Sequence, residues 1–120
     1  MTVRTTIGTR LAVAGLAGGF CVWAVCFTAL YAVLSVGCAW NWQEVSLGGL
    51  SALRLGLIAI WLAHVVLLVW LFAVLRRQPA ESASAPAAIF LRRAGLAATA
   101  AAFCAILWLG LTLHTTQICA

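Results

Sequence analysis

Three long apolar runs bounded by arginines dominate the chain: Leu11 to about Val36, Leu55 to Leu75, and Ala87 to Leu113, the last interrupted near its start by Arg92 and Arg93. Each is long enough to cross a bilayer as a helix, for which about 20 predominantly apolar residues suffice. A helix between Arg54 and Arg76 rises roughly 33 Å at ~1.5 Å per residue, close to the ~30 Å hydrocarbon core. The pattern predicts an all-α integral membrane protein with three transmembrane helices over about 11–36, 55–75 and 87–113, forming a single domain over 1–120. The first run exceeds the membrane thickness and so tilts or protrudes, and Trp40 and Trp42 just beyond it suit an interfacial aromatic belt.

Composition removes the soluble alternative. The 120 residues are 66% hydrophobic and 8% charged, and no segment outside the apolar runs is long enough to build a core of its own. The net charge of +5 would suggest nucleic acid in a soluble protein. Here, though, the basic residues are all arginines flanking apolar runs, which is the pattern of membrane orientation. By that rule Arg4 and Arg10 hold the N-terminus in the cytoplasm, and Arg76, Arg77, Arg92 and Arg93 place the connection between the second and third runs there as well. The C-terminus then lies on the periplasmic side of a bacterial inner membrane. The connection, about 76–86, is small, polar and bounded by Pro79 and Pro86, and reads as a flexible cytoplasmic loop. Glu44 and Arg54 at the outer face read as two solvated charges rather than an ion pair. The first run is much longer than a signal-peptide core and reads as a signal anchor. Ser35, where a lipoprotein site would carry a large aliphatic residue, argues against lipid attachment at Cys38.

Depth then sorts the chemistry. Cys38 follows the first run and Cys119 the third, so both reach the outer face, where an oxidising compartment favours a disulfide between them. Such a bond closes a loop of roughly 80 residues and contributes on the order of 3–5 kcal/mol when unstrained. His114 approaches the same face, and Cys38, His114 and Cys119 together are candidate ligands for a soft metal such as Cu(I) only while the thiols stay reduced. Cys21, Cys26 and Cys104 read as small buried apolar residues; Cys21 and Cys26 point about 140° apart on a helix, which weakens chelation by one span. His64, near the middle of the second run, is a candidate cofactor ligand by its depth. Its bland reading is a neutral imidazole bonded to another helix, and haem ligation lacks a second ligand at matching depth. No cofactor is expected.

Gly15 and Gly19 in the first run, and Ala94, Ala98 and Ala102 in the third, present two smooth faces that suit close helix packing. Whether they pack on each other or Gly15 and Gly19 serve a homo-oligomer is left open by the spacing. Phe20, Trp23, Phe27, Tyr31, Phe103 and Trp108 fill gaps or face lipid.

The stretch Trp23-Ala24-x-Cys26-Phe27-x-x-x-Tyr31-Ala32, continued to Cys38, resembles small uncharacterised bacterial inner-membrane proteins often encoded beside cytochrome c oxidase and its assembly factors. Their pattern has His where this chain has Cys26, and Cys119 resembles their closing cysteine. The resemblance implies a neighbourhood in respiration rather than an activity.

These readings converge on a non-catalytic accessory or subunit protein that packs against a larger membrane complex, with lipid and a membrane-protein partner as its surroundings. With no acid or base cluster and no phosphate-binding loop, the sequence does not read as an enzyme. A thiol-based metal-ion transporter is the alternative, although the adjacent cysteine pairs of the mercuric-ion transporters are missing. A phage-type pore former ranks below both, since such proteins usually end in a basic cytoplasmic tail.

Overall fold

The computed structural model describes residues 2–77, 86–115, 118 and 119, with side chains omitted for residues up to 9 and for 11 and 12. Three helices form an elongated bundle, 60 × 20 × 19 Å. Helix α1 covers Thr2–Ala39, α2 covers Ala52–Arg77 and α3 covers Pro86–Thr115. Within them Val13–Ala39, Ala52–Arg77 and Pro86–Thr115 are long and apolar enough to cross a membrane, so the chain is built as a multi-pass membrane protein. The helices overrun the apolar runs by a few residues at most ends. Arg76 and Arg77 are good helix formers and sit where the dipole favours cations. Pro86 opens α3 because the first helical position needs no N–H donor. Residues 78–85, most of the expected cytoplasmic loop, and the side chain of Arg4 lie outside the described residues.

The all-α expectation needs one amendment. Between α1 and α2 the chain forms a short antiparallel hairpin, β1 Ser46–Leu47 and β2 Leu50–Ser51, with Ser46 opposite Ser51. Gly48 and Gly49 turn it, with φ of 61° and 88°. Positive φ at both central positions is what a type I′ turn demands, and glycine meets it without steric cost. Just upstream, α1 closes in a Schellman arrangement. Trp42 N–H donates to the Gly37 carbonyl at 2.9 Å and Asn41 N–H to that of Cys38 at 3.3 Å, while Asn41 takes the left-handed φ of 56°. Downstream, Ser51 caps α2, its Oγ accepting from Arg54 N–H at 3.3 Å.

The interior is a narrow seam of Cys26 and Leu30 from α1, Leu53, Leu57, Leu68 and Leu75 from α2, and Ala102 and Ile106 from α3. Helix α1 packs most extensively on α3. That seam uses Gly19, where a Cβ would come 3.1 Å from the Thr99 Cα. Gly15 faces the other neighbour, with a Cβ there 2.6 Å from a Leu75 methyl. On α3 the buried stripe is Gly95, Thr99, Ala102, Ile106 and Gly110, while Ala94 and Ala98 are half-buried. Of the Ala94, Ala98 and Ala102 face only Ala102 is buried, because the buried stripe mixes a step of three with steps of four and so follows the 3.6-residue turn, whereas uniform steps of four drift off it. Thr99, the polar member of the stripe, satisfies its hydroxyl by donating to the Gly95 carbonyl at 2.8 Å.

Candidate functional site

The two ends of the bundle are finished differently. At the disulfide end, Cys38 and Cys119 are bonded, with Cα atoms 5.7 Å apart across 81 positions of sequence, within the usual 4.4–6.8 Å disulfide range. Ile118 packs against the core beside it. Oxidation removes both thiols from the candidate Cys38, His114 and Cys119 metal set. Among the described residues no group of three or more His, Cys, Asp or Glu side chains is placed to hold a metal ion. His114 instead offers its backbone: the Arg54 Nη2 donates to its carbonyl at 3.2 Å. Arg54 thus turns toward the end of α3 rather than toward Glu44.

At the arginine end the same device recurs with the helices exchanged. Arg92, in the second turn of α3, donates through Nη2 to the Arg76 carbonyl at 3.3 Å. His114 and Arg76 are the penultimate residues of α3 and α2, so each accepting carbonyl belongs to a last turn that has no partner within its helix. Because α2 and α3 run antiparallel, an arginine near the start of each reaches the end of the other, and its charge faces the negative pole of that helix. Arg76 also lies over the Phe72 ring, 5.8 Å from its centroid. Arg10, Arg77 and Arg93 are exposed.

Between the ends, Trp61 spans from α2 to α3. Its indole Nε1 donates to the Ile106 carbonyl at 2.7 Å, and its ring lies on Gly110, where any Cβ would overlap it. The bond supplies the partner that an indole N–H in an apolar interior requires. His64, half-buried one turn further on, bonds through Nδ1 to the Ile60 carbonyl of its own helix at 2.8 Å. This differs from the expected bond to a neighbouring helix, because the carbonyl four residues back is already in reach. Since a carbonyl only accepts, Nδ1 is the donor in this bond.

The free cysteines are dispersed: Cys26 is buried in the seam, whereas Cys21 and Cys104 are exposed. The aromatics of α1 are not dispersed. Phe20, Trp23, Phe27 and Tyr31 form a continuous ladder with successive centroids 5.6, 5.8 and 4.5 Å apart. Phe20 and Tyr31 are 63% and 60% exposed, whereas Trp23 packs half-buried against the core, so the ladder runs along the edge of the bundle with its two ends open.

Comparison with known proteins adds no relative: no family model, curated protein or solved structure matches the chain.

Sequence reasoning brought Cys38 and Cys119 together but missed the reciprocal arginine caps, the Trp61 bridge and the continuity of the ladder. The spacing of Phe20, Trp23, Phe27 and Tyr31, in steps of three and four, was the available signal for the last of these.

Proposed function

We propose that the protein is a non-catalytic accessory or subunit protein of a bacterial inner membrane that packs laterally against a larger membrane complex, with its arginine end in the cytoplasm. The observation that carries this reading is the α1 ladder. Phe20 to Tyr31 covers roughly 16 Å of helix at ~1.5 Å per residue, and its exposed rings, Phe20, Phe27 and Tyr31, lie within a membrane-capable helix. Aromatic anchoring at a headgroup layer concentrates rings at the two interfaces. A run of this length through the span offers shape and polarizable surface to another helix, and membrane helices associate through van der Waals packing. A disulfide at the opposite end from Arg76, Arg77, Arg92 and Arg93 supports the orientation, since disulfides persist in oxidising compartments. The respiratory oxidase, or its assembly machinery, is the partner class that the first-span resemblance suggests.

The test is purification in mild detergent with a photo-crosslinking residue at Tyr31. The reading expects one membrane partner at near-stoichiometric level, cross-linked through the ladder. Phe20→Ala with Tyr31→Ala should lower its recovery at least five-fold, and Trp70→Ala, exposed on α2, should not. Recovery of a free monomer or homomer alone would contradict it.

A further inference from the structure

We propose that the arginine end of the α2–α3 face is a binding site for one anionic phospholipid, with its phosphate at Arg76 and Arg92 and an acyl chain in the groove beneath them. The groove has a volume of about 250 Å³ and is lined by Leu68, Val69 and Phe72 of α2 and by Ala100, Phe103 and Cys104 of α3, with Thr99 beside them. Thr99 contributes no free polar group, because its hydroxyl is bonded to the Gly95 carbonyl. The lining therefore suits hydrocarbon.

The charge above the groove chooses the occupant. Phe72 belongs both to the groove wall and to the Arg76 contact, so the apolar cleft and the guanidinium are continuous through one side chain. Leu68 and Ala100 lie eight residues from Arg76 and Arg92 respectively, or roughly 12 Å along a helix at ~1.5 Å per residue. That is the arrangement of a headgroup at the membrane surface and a chain descending beside it. Arg92 has spent one Nη on the Arg76 carbonyl, and its shielded Nε has no acceptor. Among the described residues no carboxylate meets Arg76, Arg77, Arg92 or Arg93; Glu44 belongs to the far end, and Glu81 lies outside the described residues. A phosphodiester brings negative charge on oxygens matched to guanidinium geometry, and basic pockets between transmembrane helices bind anionic headgroups on this principle. An apolar protein helix seated in the groove would fill the chain-binding half and bring no negative charge to the guanidinium of Arg76 above it. The site lies on α2 and α3, away from the α1 ladder, so it stands independently of the proposed partner.

The experiment uses the full chain with its disulfide intact, delipidated in non-ionic detergent and titrated with phosphatidylglycerol or phosphatidylcholine of identical acyl chains. Bound lipid is counted by native mass spectrometry. The site predicts one phosphatidylglycerol held at least ten-fold more tightly than phosphatidylcholine. Arg76→Gln with Arg92→Gln should cut that preference at least five-fold, and Ala100→Phe, which fills the groove and leaves every charge, should weaken phosphatidylglycerol binding by a similar factor. Arg10→Gln, on a helix that does not line the groove, should change neither. Equal retention of the two lipids by the unaltered protein, which needs no variant to fold, would overturn the proposal. So would an Arg10→Gln loss as large as that of the double variant, or phosphatidylglycerol binding indifferent to Ala100→Phe. Helical circular dichroism and retention of the Cys38–Cys119 bond identify variants that remain folded.

Discussion

At the disulfide end, Cys38 and Cys119 join α1 to α3 covalently, while Asn41, Gly48, Gly49 and Ser51 turn the chain from α1 into α2 by local backbone chemistry. At the arginine end, α1 meets its neighbours through Gly15 on Leu75 and Gly19 on Thr99, and α2 meets α3 beneath arginines with no opposing carboxylate among the described residues. One feature is common to both: an arginine of one helix caps the last turn of the other. The difference shows how a small three-helix bundle divides its tasks. The covalent end fixes the relative register of α1 and α3, whereas at the charged end the described contacts between helices are packing and the Arg92 cap.

Breaking the covalent end should have the largest effect. Cys38→Ser or Cys119→Ser should lower stability by about 2–4 kcal/mol, read as a lower thermal midpoint in detergent, and reductant should reproduce the loss in the unaltered protein. Gly110→Val should cost about 1–3 kcal/mol, because the Trp61 ring already fills the space and must move. Trp61→Phe keeps most of the packing and loses the bond to the Ile106 carbonyl, with an expected cost of about 0.6 kcal/mol. The smallest effects sharpen the comparison most. Arg54→Gln and Arg92→Gln should each cost about 0.3–1 kcal/mol, but with the disulfide formed Arg54→Gln should fall at the lower limit, since the cross-link already holds that end. Reduction should bring the two variants level. Equal costs in the oxidised protein would mean that the disulfide does not order the α3 terminus.

The spans were legible because length and charge act over many residues: an apolar run between Arg54 and Arg76 has few ways to meet water. Cys38 and Cys119 were legible for a related reason, since arginine placement assigns both to one end before any contact is known. The hairpin was not read, although Gly48-Gly49 between Ser46-Leu47 and Leu50-Ser51 is a turn signal. Attention to the apolar pattern alone treats such a segment as loop. The smooth face of α3 was displaced by one position, because Ala94, Ala98 and Ala102 repeat in sequence but Gly95, Thr99 and Ala102 repeat in space. Trp61 on Gly110 and the two arginine caps are pairings across helices, and nothing local to either partner announces them.

The proposed orientation places the disulfide end in an oxidising compartment, opposite Arg76, Arg77, Arg92 and Arg93. Intact cells expressing the chain with Cys21, Cys26 and Cys104 replaced by Ser should be exposed to a membrane-impermeant maleimide. The account predicts no labelling of Cys38 or Cys119 before reduction and labelling of both after a thiol reductant. Labelling of both without reductant would contradict the bond, and protection of both after reduction would contradict the outward placement.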